Sequence, residues 1–166
     1  MIRRHVVLVA MLVIALLIPP PAAAGEPSVE VTAHLAGRPI PLLDVSGYHC
    51  HDLDYPRIHC YRTDVEVSAA IEPVLGLLAV TATSYVRVFE HSWYAGGSMT
   101  ISQDYTVLAT IGWNDRISSF AALNSETGNF YWDWFYGGSM PYTFCCNQNV
   151  PTLGTWNDNI SSVRRT

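Results

Sequence analysis

Two six-residue blocks carry the densest sets of hard oxygen donors in the chain, Asn114-Asp115-Arg116-Ile117-Ser118-Ser119 and Asn157-Asp158-Asn159-Ile160-Ser161-Ser162. Each packs an amide, a carboxylate and two hydroxyls into one short stretch and contains neither Cys nor His. Calcium is a hard cation that takes 6–8 oxygens from carboxylates, hydroxyls, carbonyls and water. A donor set without sulfur or imidazole gives softer metals no foothold. One Asn-Asp on its own is a common turn, and one Ser-Ser a common capping or strand pair. The same block standing twice, each time behind a tryptophan (Trp113 and Trp156), asks for more than a turn.

A second group of potential ligands lies between Tyr48 and Tyr61, where His49, Cys50, His51, His59 and Cys60 crowd together. Their spacing fits no common zinc pattern. In an exported protein the cysteines favour a disulfide, so a Cys50–Cys60 bridge is expected, with Tyr55-Pro56 as the turn of the closed loop. Cys145 and Cys146 are adjacent. Consecutive Cα atoms stand about 3.8 Å apart, below the usual disulfide range, so a mutual bridge is strained. It is still the simplest pairing once Cys50 and Cys60 are joined, and three connectivities remain open. Asp52 and Asp54 beside His49 and His51 suggest an acid–base cluster or, more simply, a polar loop. No G-x-S-x-G, H-E-x-x-H or P-loop pattern occurs, and no catalysis is expected.

The elements that would position the two oxygen-rich blocks are themselves repeated. Phe89-Glu-His-Ser-Trp-Tyr94-Ala-Gly96-Gly97-Ser98-Met99 aligns with Phe130-Tyr-Trp-Asp-Trp-Phe135-Tyr-Gly137-Gly138-Ser139-Met140 at an offset of 41, and the oxygen-rich blocks follow at an offset of 43. The drift implies a two-residue insertion in the second copy. Runs such as 85–90, 98–102 and 139–144 are rich in β-branched and aromatic residues and flank Gly-Gly turns. Short strands punctuated by turns every ten residues or so predict an antiparallel sandwich. Neither copy can bury its aromatic face alone, so the two are expected to pack as one domain.

On these residues the chain resembles the βγ-crystallin family, in its microbial, secreted, calcium-binding form. The family's Greek-key motif carries [FY]-x4-[FY]-x-G, and its calcium-binding members add Asn/Asp-Asn/Asp-x-x-Ser/Thr-Ser. The resemblance covers about residues 85–164, with motifs near 85–123 and 126–164. It implies an all-β sandwich of two four-stranded sheets related by a pseudo-two-fold. It also implies two composite calcium sites. One would use the carbonyls of Glu90 and Arg116, the Ser118 hydroxyl and the Asp158 carboxylate from the other motif. The other would use the carbonyls of Tyr131 and Asn159, the Ser161 hydroxyl and the Asp115 carboxylate. The Arg116 side chain, a cation beside the first site, departs from an ideal donor set. A structural or stress-protective role follows from the resemblance. Some small bacterial metalloproteinase inhibitors also look like this fold, so a secreted protease is the alternative partner, presented with a disulfide-closed loop at residues 50–60.

The remainder of the chain bounds these readings. Among 166 residues there are 9 arginines, no lysine and 14 acidic side chains, for a net charge of −5. That balance argues against nucleic acid as a partner. Arg3 and Arg4 precede thirteen apolar residues at 6–18, then three prolines and Ala22-Ala23-Ala24. Thirteen is short of the ~20 needed to span a bilayer, and the small-residue exit is a signal-peptidase pattern. The expectation is a signal peptide over 1–24, cleavage near Ala24, and a secreted product with no membrane contact. Residues 25–84 form a β-rich N-terminal segment of unassigned fold. Residues 29–35 alternate as a strand does, while 65–78 reads as a helix interrupted at Pro73 or as two strands.

Overall fold

The structure is a computed structural model that describes residues 29–77 and 84–166. The expected signal peptide lies outside the described residues.

The N-terminal segment is two hairpins and a helix. β1 (Thr32–Leu35) turns back into β2 (Arg38–Ile40), and a 3-10 turn over Leu42–Gly47 leads to β3 (His49–Asp54) and β4 (Arg57–Tyr61). The Tyr55-Pro56 turn between β3 and β4 has a cis peptide. A disulfide joins Cys50 to Cys60, directly opposed residues of these strands. The stretch that sequence left between helix and strands is a helix, α1 (Asp64–Leu77), with Pro73 inside it. Its start explains the choice. The Glu66 amide donates to the Thr63 hydroxyl (3.2 Å), and the Glu66 carboxylate accepts from the Thr63 and Arg62 amides (3.1 and 2.9 Å). This reciprocal cap satisfies backbone donors that a helix start otherwise leaves orphaned.

Two Greek-key motifs follow. The first holds β5 (Tyr85–His91), β6 (Ala95–Ile101) and β7 (Ser119–Leu123). The second holds β8 (Gly128–Tyr131), β9 (Tyr142–Phe144), β10 (Asn149–Val150) and β11 (Ser162–Arg165). Each motif lends a strand to the other's sheet. β10 pairs with β7 of the first motif, and Tyr105 of the first bridges to Val163 in β11 of the second. The result is a Greek-key β-sandwich.

Its sheets differ from the expected pair of four. The first motif's sheet, β10-β7-β5-β6, continues through β3-β4-β1-β2 to eight strands. The second sheet has three strands, β11-β8-β9, with Tyr105 at its edge. The extension is possible because β6 has an open edge, to which β3 adds in parallel: His49, Cys50 and His51 pair with Ser98, Met99 and Thr100. One apolar cluster then runs through all parts, from Val45 and Ile58 to Trp113, Phe120, Phe130, Phe144 and Ile160.

The internal repeat has an offset of 42 in the hairpins, one residue more than the sequence alignment gave. Left-handed backbone conformations at Trp93, Tyr94 and Gly96 recur at Phe135, Tyr136 and Gly138. Phe89 packs edge-on against Tyr94 with centroids at 5.4 Å, and Tyr131 packs against Tyr136 at 5.5 Å. The second motif is therefore Tyr131-x4-Tyr136-x-Gly138, not Phe130-x4-Phe135-x-Gly137. Phe130 takes the place of Val88, and both are fully buried. The Gly-Gly-Ser-Met match is coincidental: Met99 is buried in β6, whereas Met140 lies exposed ahead of β9. With the oxygen-rich blocks still at 43, the insertion is one residue.

Candidate metal centres

The oxygen-rich blocks sit where the two motifs meet, and their backbones are shaped alike. Asp115 and Asp158 both adopt φ of 54°, the left-handed region that Asp and Asn tolerate better than most residues. The Asp115 amide donates to the Ile160 carbonyl (3.0 Å), and the Asp158 amide to the Ile117 carbonyl (3.1 Å). Each aspartate is thus carried across to the other motif. Ser118 Oγ donates to Asp158 Oδ1 and Ser161 Oγ to Asp115 Oδ1, both at 2.9 Å. Both carboxylates are exposed, while both serines are buried against the core. The structure therefore brings together the Ser118–Asp158 and Ser161–Asp115 pairs.

The second serine of each block does something else. Ser119 Oγ accepts from the Tyr94 amide (3.1 Å) and donates to the His91 carbonyl (2.7 Å). Ser162 Oγ accepts from the Tyr136 amide (3.1 Å) and donates to the Asp133 carbonyl (2.6 Å). Each pins the turn of its hairpin, where two consecutive non-glycine residues have positive φ. Only the first serine of each pair faces the crossing carboxylate.

The corrected repeat changes one carbonyl of the second centre. The Tyr131 carbonyl accepts from the Ser161 amide at 2.9 Å, as the Phe89 carbonyl accepts from Ser118 at 3.0 Å. Tyr131 is thus the counterpart of Phe89. The counterpart of Glu90 is Trp132, which lines the second pocket together with Asp115, Asn159 and Ser161.

The two centres differ at their mouths. The first opens into a pocket of about 230 Å³ lined by Glu90, His91, Arg116 and Asp158. The Arg116 guanidinium pairs with the Glu90 carboxylate there, so its charge is compensated rather than directed at the donors. The second opens into about 640 Å³ lined by Asn114, Trp132, Asp133, Trp134 and Asn159. A relay crosses it: Trp134 Nε1 donates to Asn114 Oδ1 (2.8 Å), and Asn114 Nδ2 donates to Asp115 Oδ2 (2.6 Å). The sequence reading missed these tryptophans, although two indoles flanking an aspartate in a short exposed turn were a visible signal.

The His/Cys-rich segment does not assemble a comparable centre. The disulfide consumes both thiols. Asp52 lies on the opposite face of β3 from His49 and His51, buried, accepting from the Ser102 amide (2.6 Å) and the Tyr105 hydroxyl (2.9 Å). Burial pushes its carboxyl up from the ordinary value, against the pull of those bonds. His51 stacks on His59 with centroids at 5.2 Å, and burial, with His59 beside it, lowers its pKa to about 4. His59 Nε2 is 3.1 Å from Asp54 Oδ2. The acid–base cluster imagined from Asp52, Asp54, His49 and His51 is therefore divided between two faces. Among the described residues no three His, Cys, Asp or Glu side chains converge as a metal cluster needs. Cys145 and Cys146 are exposed free thiols, so of the pairings left open by the sequence only Cys50–Cys60 is present among the described residues. They lie in the turn between β9 and β10, where Cys146 has positive φ.

A Greek-key sandwich of two motifs, with hydroxyl–carboxylate pairs exchanged between them, is the class that the fold and centres define. No family model matches the chain, and no curated protein does either. The solved structures it is similar to are βγ-crystallin domains. An archaeal βγ-crystallin is 28% identical over 51% of this chain and 99% of its own, with a TM-score of 0.45. One from Ciona intestinalis is 25% identical over 49% and 99%, TM-score 0.45. A variant βγ-crystallin domain from Clostridium beijerinckii is 29% identical over 49% and 94%, TM-score 0.43. The resemblance read from the motif residues is to that same family.

Proposed function

We infer that this chain is an exported, non-catalytic calcium-binding module whose two composite sites lock its two motifs together. The observation that carries the reading is the crossed pair of contacts, Ser118 with Asp158 and Ser161 with Asp115. Each is a hard-oxygen couple held at a motif boundary by a backbone hydrogen bond. The first site would take the Glu90 and Arg116 carbonyls with Ser118 and Asp158. The second would take the Trp132 and Asn159 carbonyls with Ser161 and Asp115. When bound, calcium would replace the hydroxyl–carboxylate hydrogen bond as the link between motifs. One carboxylate per site suits an affinity on the order of micromolar to millimolar, the range of extracellular modules. The Cys50–Cys60 disulfide accords with an oxidising compartment. The protease-inhibitor alternative gains no support from the geometry, because β3 and β4 are each paired on both edges. A stiff strand there is not free to add to a partner.

Calorimetric calcium titration of chelator-stripped protein tests the reading, with a thermal melt at each end point. Two sites and a raised melting temperature are expected, since a ligand that binds only the native state stabilises it by about 2.7 kcal/mol at a hundredfold excess over Kd. Asp115→Ala and Asp158→Ala should each abolish or weaken one site and leave the apo melt nearly unchanged. Two unchanged isotherms would show that the crossed pairs are structural only.

A further inference from the structure

The pseudo-two-fold exposes residues that the fold does not require. Trp132 and Trp134 occupy the places held in the first motif by Glu90 and Ser92. The relay partner of Trp134, Asn114, corresponds to Asn157, which meets Ser92 at the same place but donates its Nδ2 to the Ser92 hydroxyl (3.3 Å) where Asn114 accepts from the indole. A carboxylate and a small hydroxyl suffice to build that hairpin, so the two indoles are additions. They are 47% and 52% exposed, a cost in apolar hydration that core packing does not recover. Both are also held in place. Trp132 packs edge-on against Trp156 with centroids at 5.1 Å, and Trp134 is tied through its indole N–H to Asn114.

From this arrangement we propose that the cleft across Trp132 and Trp134 is a binding site for a neutral oligosaccharide. The pocket of about 640 Å³ between the two indoles lies in the range of roughly 300–1,000 Å³ that suits a small organic ligand rather than a lone ion. A second pocket of about 540 Å³, lined by Met140, Tyr142 and Trp156, has Trp132 in common with the first, so that indole offers surface to more than one sugar ring. Its chemistry selects the ligand. No cationic side chain lines either pocket, and Asp115 and Asp133 stand in the first, which disfavours phosphate, sulfate or uronate groups. A pyranose offers an apolar C–H face and a rim of hydroxyls. The face stacks on an indole, while the rim hydrogen-bonds to carboxylates and amides such as Asp133, Asn114 and Asn159. Rigid aromatic platforms reduce the ordering cost of binding.

The inference goes beyond the calcium reading and does not depend on it, although the pocket is lined by all four residues of the second centre, Asp115, Trp132, Asn159 and Ser161. It is tested by calorimetry and ligand-observed NMR on the intact protein with cellotetraose, xylotetraose and N-acetylchitotetraose, each in excess calcium and in chelator. At least one is expected to bind. Trp132→Ala and Trp134→Ala should each weaken that binding at least tenfold, while Trp132→Phe retains most of it. Trp93→Ala, an exposed tryptophan outside the cleft, should leave it unchanged. Thermal melts establish that each variant is folded. Failure of all three sugars would overturn the proposal, as would equal binding by the two alanine variants. Capture of choline in place of sugars would overturn it too, because indoles beside carboxylates also suit a quaternary ammonium. A silent calcium titration with intact sugar binding would sink only the calcium reading.

Discussion

The two serines that end each oxygen-rich block have separate tasks, and mutation should separate them. Ser118 Oγ meets only the crossing carboxylate, whereas Ser119 Oγ both accepts from and donates to the hairpin turn. Ser118→Ala is expected to weaken calcium at the first site with a small change in the apo melt. Ser119→Ala removes the acceptor of the part-buried Tyr94 amide and should destabilise the fold by about 1 kcal/mol, with the second site's calcium heat intact. Titration and melting of the two variants side by side check this, and identical behaviour would refute the division. Arg116→Ala removes a cation and leaves the Glu90 carboxylate unpaired at the mouth of the first site. Calcium should then bind that site more tightly by a few fold, since an exposed charge pair is worth roughly 0.2–1 kcal/mol. The oxygen groups of the crossed pairs were legible here because Asp and Ser keep their types wherever the chain folds. The division between the serines was not, because two adjacent hydroxyls in sequence say nothing about which faces the backbone.

Elements explain why the repeat was misread by one residue. Phe130-Tyr131 and Phe135-Tyr136 are aromatic doublets, and Gly137-Gly138 is a glycine doublet, so the motif fits in two registers. What separates the registers is backbone conformation: Gly138 has φ of 108°, while Gly137 is not in the left-handed region. Only the strand pairing reveals this, through Tyr131 opposite Ser162 and Phe89 opposite Ser119. The test is a pair of glycine substitutions. Gly138→Ala places a Cβ on a positive-φ residue and should cost more stability than Gly137→Ala, whose Cβ would meet the Asp133 side chain at 3.1 Å. The exchange of strands between motifs likewise has no local signal, because β10 is two residues long and Tyr105 is a lone bridge. What fixes the last strand is visible only in space. Arg165 of β11 reaches the buried Glu126 with two bonds (2.7 and 2.8 Å) and the Ser84 carbonyl with a third (2.7 Å). Glu126→Ala removes the guanidinium's nearest counter-ion, with Asp52 and Asp104 still acting on it, and should cost about 1.5–3 kcal/mol by denaturant melt.

At the scale of the molecule, the N-terminal segment is part of the sandwich's sheet, and its histidines give the whole fold a pH dependence. His51 stands on β3 between the sheet and α1, stacked on His59 and Tyr61, with Ala70 and Val74 of α1 closing the pocket around it. Burial, then the neighbouring His59, lowers its pKa from 6.5 to about 4, against the pull of Asp54. Between those values the unfolded chain binds a proton that the native imidazole refuses. Stability therefore rises with pH across the window and is lost as the solution is acidified from about 6.5 toward 4. The shift corresponds to at most about 3 kcal/mol. Asp52 works in the opposite sense, because its raised carboxyl holds a proton in the fold that the unfolded chain releases above 3.8. The comparison of wild type with His51→Phe removes that background, since Asp52 is common to both and phenylalanine keeps a ring in the stack. Thermal melts from pH 7 to pH 4.5 should show wild type losing more stability than the variant, the gap widening as pH falls below 6.5. Parallel curves would mean that the imidazole titrates in the fold as it does in the open chain, and that α1 does not seal it from water.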